Sequence, residues 1–462
     1  MKTHELRITI LILLTSITIS AKSQTNVSGG IYTNTTWTHA NSPYIVTDTV
    51  VVFPGVTLTI EPGVVVRFND HTYIEIRNAS LIALGTQTDS ITFTSNSATP
   101  VPGIWGHQNN GGIWLSTTYS VFNFCNISYA TQGINLLQLL PAIKNSTFTH
   151  NQYGIQSVSR TRVDSCVFKF NDTAIENLSD SSFNFNIVSN NYYGIYYASH
   201  VELNNCIIDS NYEGMGGIVP DISDTKLHHC SIKYNRNGFV ADGNGGNLLS
   251  YCVIDSNIVR GVYMGHHTQD SIMYCEIKYN GTGVGAGGNT LITHCDIEYD
   301  TIGVYGCANL ICNKICNNIS YGLQNGSGTC DAAHNYWCTS DSTLIASAIY
   351  DGYDNINLGL VNFFPLDTAC APGITTSVDQ ITNNNLPYLI FPNPTAGNLS
   401  VELSSIGYKA EIRIFNSIGD LEFSSVIPNQ KYFLDISSLI SGIYIVELIS
   451  EEKIFWQKLI RE

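Results

Sequence analysis

A phrase of about eleven residues recurs along the middle of this chain and constrains its fold more than any other feature. "CSIKYNRNGFV" at Cys230 returns as "CVIDSNIVRGV" at Cys252, "CEIKYNGTGV" at Cys275 and "CDIEYDTIGV" at Cys295. A period of roughly twenty-one residues is typical of solenoids, in which each copy forms one coil of a stack. About ten copies begin near Cys125, Ser146, Cys166, Phe185, Cys206, Cys230, Cys252, Cys275, Cys295 and Asn313.

Within each copy, buried residue types alternate with polar ones. The first position is most often Cys and the third is large and apolar, which is the period-two pattern of a strand with one face inside. The alternation therefore predicts short parallel strands that superpose like residues from coil to coil. The predicted inward third positions are Ile127, Phe148, Phe168, Ile187, Ile208, Ile232, Ile254, Ile277, Ile297 and Ile315.

The sixth position of the phrase is asparagine in most copies. Asparagine tolerates left-handed backbone angles and bonds to nearby main-chain groups, so it suits a corner. Coils in parallel register lie about 4.8 Å apart, close enough for each amide to bond to the next. We predict a ladder of Asn151, Asn171, Asn190, Asn211, Asn235, Asn257, Asn280 and Asn318, with Asp300 as its acidic variant.

Composition agrees with such an array. Charged residues make up only 13% of the 462 residues, which suits short strands and turns better than charge-rich helices. The formal net charge of −16 opposes binding to nucleic acids, which requires Lys and Arg to replace counterions.

These features resemble the right-handed parallel β-helix proteins with a pectate-lyase-like fold. The segments 44–68 and 334–365 resemble their first coils and closing segment, although Cys338 stands where the closing segment usually has glycine. The resemblance predicts an all-β chain with a β-helix over residues 24–372. Its N-terminal coils would occupy about 30–120, its regular repeats about 120–325 and its closing segment about 330–370.

The two ends of the chain differ in character from the repeats. Residues 1–23 have a basic start, an apolar run and a small-residue exit, which predict a secretory signal peptide. No later segment is apolar for long enough to predict a membrane-spanning helix. Residues 373–387 read as a polar linker, and residues 388–462 have the alternating strands and turn residues of a small antiparallel sandwich.

Residues 388–462 also resemble the C-terminal sorting domain of the type IX secretion pathway. The resemblance implies that this domain engages the type IX machinery and a sortase, and that the protein is secreted to the cell surface or beyond. It rests on Pro392, Asn393, Pro394, Gly419, Asp435, Gly442, Tyr444, Lys453 and Lys458.

The thirteen cysteines divide into two groups. Seven occupy the inward column, where we expect buried thiols that act as small apolar residues. The others favour two or three disulfides at the C-terminal end of the solenoid, and they are Cys307, Cys312, Cys316, Cys330, Cys338 and Cys370. An alternative is a metal site built from Cys307, Cys312, Cys316 and His334.

The outward fourth positions carry charges that alternate in sign. They read Lys169, Asp209, Lys233, Asp255, Lys278 and Glu298, with an interruption at Val188. Solvated cross-strand pairing explains this pattern most simply. Rings lie beside the column, and together they predict a sugar-binding surface composed of His229, Tyr251, Tyr274, Tyr279, His294 and Tyr299, with Tyr234 beside them.

The leading functional hypothesis is an exported monomer that binds an extracellular glycan or mediates adhesion, without a cofactor. The first alternative is a polysaccharide lyase or glycoside hydrolase, since many proteins with the resembled fold cleave acidic polysaccharides; a lyase could use calcium. Its candidate catalytic residues are Lys233, Asp255, Glu276, Lys278, Asp296 and Glu298. The second alternative is a structural spacer.

Overall fold

The structure is a computed structural model, which describes residues 24–367 and 388–461 apart from short gaps. The gaps are 108–110, 117–119, 137–141, 158–159, 217–221, 243–244, 266–268, 288, 394, 404–409, 417–420, 430 and 451–452. The predicted signal peptide and linker lie outside the described residues. The chain divides near residue 373 into two units.

The first unit is a stack of coils, each of which contributes strands to three faces. Face 1 is a parallel sheet with thirteen strands among the described residues. Its strands are β2 (Thr35–Trp37), β4 (Thr57–Ile60), β7 (Ser80–Leu84), β10 (Val121–Asn123), β13 (Ala142–Lys144), β16 (Arg162–Asp164), β19 (Ser182–Asn184), β22 (Glu202–Asn204), β26 (Lys226–His228), β29 (Leu248–Ser250), β32 (Ser271–Met273), β35 (Leu291–Thr293) and β38 (Asn309–Ile311).

Face 2 follows face 1 within each coil, and it carries the repeated phrase. Its strands are β5 (Val65–Phe68), β8 (Ile91–Ser95), β11 (Cys125–Ser128), β14 (Thr147–Thr149), β17 (Val167–Lys169), β20 (Ile187–Ser189), β23 (Ile207–Asp209), β27 (Ser231–Lys233), β30 (Val253–Asp255), β33 (Glu276–Lys278), β36 (Asp296–Glu298) and β39 (Lys314–Cys316).

Face 3 follows the asparagine corner and is hydrogen-bonded into one large sheet with face 2 through β1 (Thr25–Ile31) and β3 (Tyr44–Val52). Its strands are β6 (Ile74–Ile76), β9 (Ile113–Leu115), β12 (Gln132–Leu136), β15 (Tyr153–Ser157), β18 (Thr173–Ser179), β21 (Tyr193–Ser199), β24 (Glu213–Met215), β25 (Ile222–Ser223), β28 (Asn237–Ala241), β31 (Arg260–Met264), β34 (Thr282–Ala286), β37 (Ile302–Tyr305), β40 (Tyr321–Gln324) and β42 (Ile349–Tyr350). A 3₁₀ turn at His39–Asn41, the helix α1 (Ser342–Ser347) and the paired strands β41 (Cys330–Asp331) and β43 (Val361–Asn362) complete this unit.

The coils stack in register, as the repeat predicts. Ile232 pairs with Ile254, and Ile254 pairs with Ile277, in parallel ladders. All three side chains are buried in a core that runs the length of the unit. The predicted parallel β-helix is therefore confirmed. The stacking of like apolar residues in neighbouring coils stabilises its fold.

The corner asparagines form a continuous ladder of hydrogen bonds. The amide of Asn235 donates to Oδ1 of Asn257 at 3.1 Å, and that of Asn257 donates to Oδ1 of Asn280 at 2.9 Å. The same oxygens accept the main-chain N–H groups of the preceding coil. These bonds satisfy polar groups that burial would otherwise leave unpaired.

The sequence-based prediction is wrong by one residue in one coil. The ladder residue there is Asn191, which accepts from Asn171 and donates to Asn211, whereas Asn190 is exposed with a left-handed φ of 57°. Val188 is accordingly the inward residue instead of Ile187. The consecutive asparagines allow either register in the sequence, and a slip of one residue exchanges the two faces of a strand.

Seven cysteines lie in the core as free thiols, namely Cys125, Cys166, Cys206, Cys230, Cys252, Cys275 and Cys295. Their sulfurs contact main-chain carbonyls; for example, Cys252 Sγ lies 3.4 Å from the oxygen of Ser250. Burial raises the pKa of the Cys125 and Cys166 thiols to about 12, so they are protonated and unreactive at neutral pH.

The C-terminal end of the solenoid is cross-linked. Cys316 and Cys338 form a disulfide between neighbouring coils, and Cys312 is disulfide-bonded as well. Cys307 and Cys330 are free thiols, while Cys370 lies outside the described residues. The alternative metal site that included Cys312 and Cys316 does not fit, because disulfide sulfurs are not thiolate ligands.

The second unit contains two antiparallel sheets that share one apolar core. Its strands are β44 (Tyr388–Phe391), β45 (Asn398–Leu403), β46 (Ala410–Phe415), β47 (Leu421–Ile427), β48 (Lys431–Asp435), β49 (Gly442–Ser450) and β50 (Lys453–Arg461).

Several residues of the sorting motif lie at strand ends or in the core of this unit. Tyr444 is buried and its hydroxyl donates to the oxygen of Ile440 at 2.8 Å, while Asp435 Oδ1 accepts from the N–H of Ser437 at 2.9 Å. Pro394 and Gly419 lie outside the described residues. Nowhere in the described parts of the chain is a helix both long and apolar enough to span a bilayer.

Candidate functional site

The candidate charged residues meet on the outer side of face 2. We call this surface the strip; it consists of the outward residues of β27, β30, β33, β36 and β39 together with the rings at their two ends. Because Ile277 points inward, its neighbours Glu276 and Lys278 both point outward, and the same holds in the coils above and below. All six candidate catalytic residues therefore lie on the strip.

Two lysines bind the carboxylates of the strip. Lys278 Nζ lies 3.0 Å from Glu276, 2.8 Å from Asp296 and 3.5 Å from Glu298. Lys314, which was not among the candidates, lies 3.5 Å from Asp296 and 2.7 Å from Glu298.

A third ion pair extends this arrangement by one coil. Lys233 Nζ lies 3.7 Å from Asp255. Every carboxylate among the six candidates is therefore paired with a lysine.

This pairing disfavours proton transfer by Lys278. Burial lowers the pKa of its ammonium group, but the hydrogen bonds and charges of Asp296 and Glu276 outweigh burial and raise the pKa above its ordinary value. The pKa of Lys314 is raised in the same way, against burial, chiefly by Glu298. A general base must lose its proton near the working pH, so neither lysine suits that role.

Stacked rings border the strip on both sides. On the side of face 1, His229, Tyr251, Tyr274 and His294 form a column with ring centroids 4.9–5.1 Å apart. On the other side, Tyr279 stacks on Tyr299 at 5.2 Å. All of these residues adopt left-handed φ angles at the corners of the coil, and this conformation sets each ring beside its equivalent in the next coil.

The second border has a gap that leaves ring faces open. Tyr234 and Tyr279 occupy equivalent positions two coils apart, and Ser256 stands between them. Two coil spacings amount to about 9.6 Å, roughly the room that a flat ring needs between two others. Tyr234 is 60% exposed and Tyr279 is 57% exposed. The strip therefore presents two largely exposed rings with a small side chain, Ser256, at the equivalent position between them.

A second group of rings lies on the corner and outer side of face 3, and sequence reasoning missed it. We call it the tyrosine cluster; it consists of Tyr192, Tyr193, Tyr196, Tyr197 and Tyr212. The visible signal is the pair of doublets in "NNYYGIYY" at 190–197. Tyr212 joins them only because the next coil places it directly beside Tyr192.

A groove of about 780 Å³ runs along the corner between face 3 and face 1. Charges of both signs line it, including Arg160, Asp180, Glu202 and Lys226. Among the described residues that line it, His200 alone carries a ring, so this part of the groove offers less aromatic surface than the strip or the tyrosine cluster.

Known families match three parts of the chain. The secretion system C-terminal sorting domain matches residues 389–462, which confirms the predicted sorting domain. The pectate-lyase like beta helix domain matches residues 29–113, and the family described as periplasmic copper-binding protein (NosD) matches residues 157–355. A comparison with curated proteins finds no match.

Solved structures similar to this chain include two alginate epimerases and an alginate lyase. The periplasmic alginate epimerase AlgG is 12% identical with a TM-score of 0.35, over 72% of this chain and 84% of that one. The AlgE4 A-module of Azotobacter vinelandii, a mannuronan C-5 epimerase, is 11% identical with a TM-score of 0.30, over 68% and 89%. The alginate lyase from Paenibacillus sp. str. FPU-7 is 13% identical with a TM-score of 0.24, over 69% and 100%.

At these values neither the activity nor the substrate of those enzymes transfers to this chain. The matched families and the stacked coils together define the kind of protein. The chain is an exported, pectate-lyase-like parallel β-helix protein that carries a C-terminal sorting domain of the type IX secretion pathway.

Proposed function

We propose that this protein binds an extracellular glycan through the strip and does not cleave it. The observation that carries the proposal is the pair of open ring faces at Tyr234 and Tyr279, which flank Ser256. An aromatic face suits the apolar face of a pyranose, while the neighbouring charged groups can exchange hydrogen bonds with its hydroxyl groups. Adhesion to a polysaccharide surface is the role that such a site would serve on an exported protein.

The proposed lack of turnover is supported by the pairing of charges on the strip. A hydrolase needs an acid and a base among its carboxylates, and a lyase needs a base beside the uronate. Each candidate carboxylate is bound by a lysine, and Lys278 keeps its proton. These groups are suited to hold a sugar in place but not to transfer its protons.

The copper-binding name of one matched family does not lead to a copper site here. Among the described residues, one group of three candidate ligands lies close together, namely Glu298, Cys316 and Cys338, and its two sulfurs are bonded to each other. The seven thiols of the inward column are buried in the core. We therefore propose no copper site.

The proposal is tested with the full chain and a panel of insoluble and soluble polysaccharides. We expect retention on at least one of them, without the absorbance of unsaturated products and without new reducing ends. The double variant Tyr234→Ala, Tyr279→Ala should bind about tenfold more weakly, which corresponds to about 1.4 kcal/mol. Tyr353→Ala is the matched control, because that ring is 88% exposed in the closing segment and belongs to neither surface.

Two results would contradict the proposal. Release of sugar products by the wild type, lost in Lys278→Met, would show that the strip is catalytic. Failure of the wild type to bind any polysaccharide would favour the spacer hypothesis.

A further inference from the structure

The tyrosine cluster is a continuous surface of five rings built from two neighbouring coils. Tyr212 stacks on Tyr192 with centroids 4.7 Å apart, and Tyr192 meets Tyr193 edge-on at 4.7 Å. Tyr193 lies 4.9 Å from Tyr196, which lies 4.2 Å from Tyr197. Tyr192 and Tyr212 are exposed and the other three rings are half-buried, so the cluster presents a contiguous aromatic patch of the kind that marks binding sites.

The local backbone brings two consecutive rings together. Neighbouring residues of a regular strand point to opposite sides, but Tyr197 adopts a left-handed φ of 59°. The hydroxyl groups of Tyr196 and Tyr197 consequently lie 3.2 Å apart. This contact and burial raise the pKa of Tyr196 to about 12, so its hydroxyl stays protonated and can donate.

Fixed polar groups border these rings. The side-chain amide of Gln156 donates to Glu176 in the next coil. Glu176 is in turn the register partner of Tyr196 in the parallel strand that follows. The amide of Asn237 donates to both carboxylate oxygens of Glu213 at 3.0 and 2.9 Å.

A guanidinium lies on the same side of the cluster as Glu213. Arg236 lies 3.4 Å from Glu213 and 5.1 Å from the ring centroid of Tyr212. Its charge is thus shared with the carboxylate beside it.

We propose that the tyrosine cluster is a second binding site, separate from the strip, and that it takes an uncharged polysaccharide. Ring faces bordered by carboxylate and amide groups suit the hydroxyl groups of neutral sugars. The carboxylates of Glu176 and Glu213 disfavour uronates, and Arg236, which lies over the ring of Tyr212, already pairs with Glu213.

Isothermal titration of the full chain with hexasaccharides of neutral β-glucan and mannan, and with oligouronates of the same length, tests the inference. A neutral oligosaccharide should bind at least tenfold more tightly than the oligouronates. Tyr192→Ala and Tyr212→Ala should each weaken that binding about tenfold, whereas Tyr212→Phe, which keeps the ring, should retain most of it. Both rings are about half exposed, so the variants should fold, and melting temperature serves as the check.

Tyr353→Ala is the matched control and should leave the affinity for the neutral oligosaccharide unchanged, because that ring belongs to neither surface. The inference is overturned if no neutral hexasaccharide binds, if Tyr192→Ala and Tyr212→Ala leave its binding unchanged, or if these two variants weaken the binding of oligouronates as much.

Discussion

At the scale of single residues, Asp300 is the acidic member of the asparagine ladder. Its Oδ1 accepts the main-chain N–H and the amide of Asn280 at 2.6 and 2.9 Å, as the asparagine oxygens do elsewhere. Its Oδ2 therefore takes the place of an amide nitrogen that would donate. That oxygen is buried and accepts no hydrogen bond from the described residues. A protonated carboxyl group fits this position, because it can donate as an amide does.

Replacing Asp300 with asparagine should stabilise the protein in a pH-dependent way. Burial raises the pKa of Asp300 to about 8 from an ordinary 3.8, although hydrogen bonds from Asn280 oppose the rise. Between these values the folded chain holds a proton that the unfolded chain has lost, so stability falls as the pH rises. Asp300→Asn removes this cost, about 1–3 kcal/mol at pH 8 and little at pH 4.

Thermal melts of wild type and variant at both pH values check this prediction. The reciprocal change Asn257→Asp should introduce the same pH dependence two steps along the ladder. An equal gain for Asp300→Asn at pH 4 and pH 8 would contradict the assignment of the proton.

At the scale of the coil, the inward column determines folding. Ile254→Asp places a charge between Ile232 and Ile277 in the core. The loss should exceed about 3 kcal/mol, since the apolar contribution disappears and a charge is buried without a partner. Ile258→Asp is the matched control, because that side chain of the same coil is 73% exposed. Equal melting temperatures for the two variants would show that the column does not face inward.

The repeated phrase predicted the coil, because each of its positions makes the same contact in every copy. The positions of Cys230, Ile232 and Asn235 are buried in the same surroundings in each coil. The residue types that recur at these positions therefore indicate those surroundings. The same logic fails at Asn190 and Asn191, where two identical neighbours fit either register. Only the stacking of Asn171 on Asn191 resolves that choice.

The surfaces were harder to predict than the core. The rings of the strip were found because they recur at fixed places in the phrase. The sequence does not predict the ion pair of Lys314 with Glu298, because Lys314 belongs to the last copy, which departs from the repeated phrase. Four rings of the tyrosine cluster lie in one short segment, 192–197, whose doublets are visible in the sequence. The stacking of Tyr212 on Tyr192 joins residues twenty positions apart, and the left-handed angle at Tyr197 sets its ring beside Tyr196, and neither follows from the local pattern.

At the scale of the whole molecule, the chain has two separately cored units, and the second contains the sorting domain. Deleting residues 388–462 in a host with the type IX pathway should leave a folded solenoid in the periplasm, because the sorting domain is lost. Cell fractionation with immunodetection measures the distribution. A reporter fused to residues 388–462 should reach the cell surface. The truncated form appearing there as efficiently as the full chain would contradict the sorting role.

If the exported solenoid holds a glycan against the open rings of the strip, the bound glycan shields those rings from solvent. Hydroxyl-radical footprinting of the full chain, with and without a retained glycan, measures that shielding. We expect bound glycan to lower the oxidation of Tyr234 and Tyr279 several-fold and to leave that of Tyr353 unchanged. Equal oxidation of Tyr234 and Tyr279 in both samples, with glycan demonstrably bound, would contradict it.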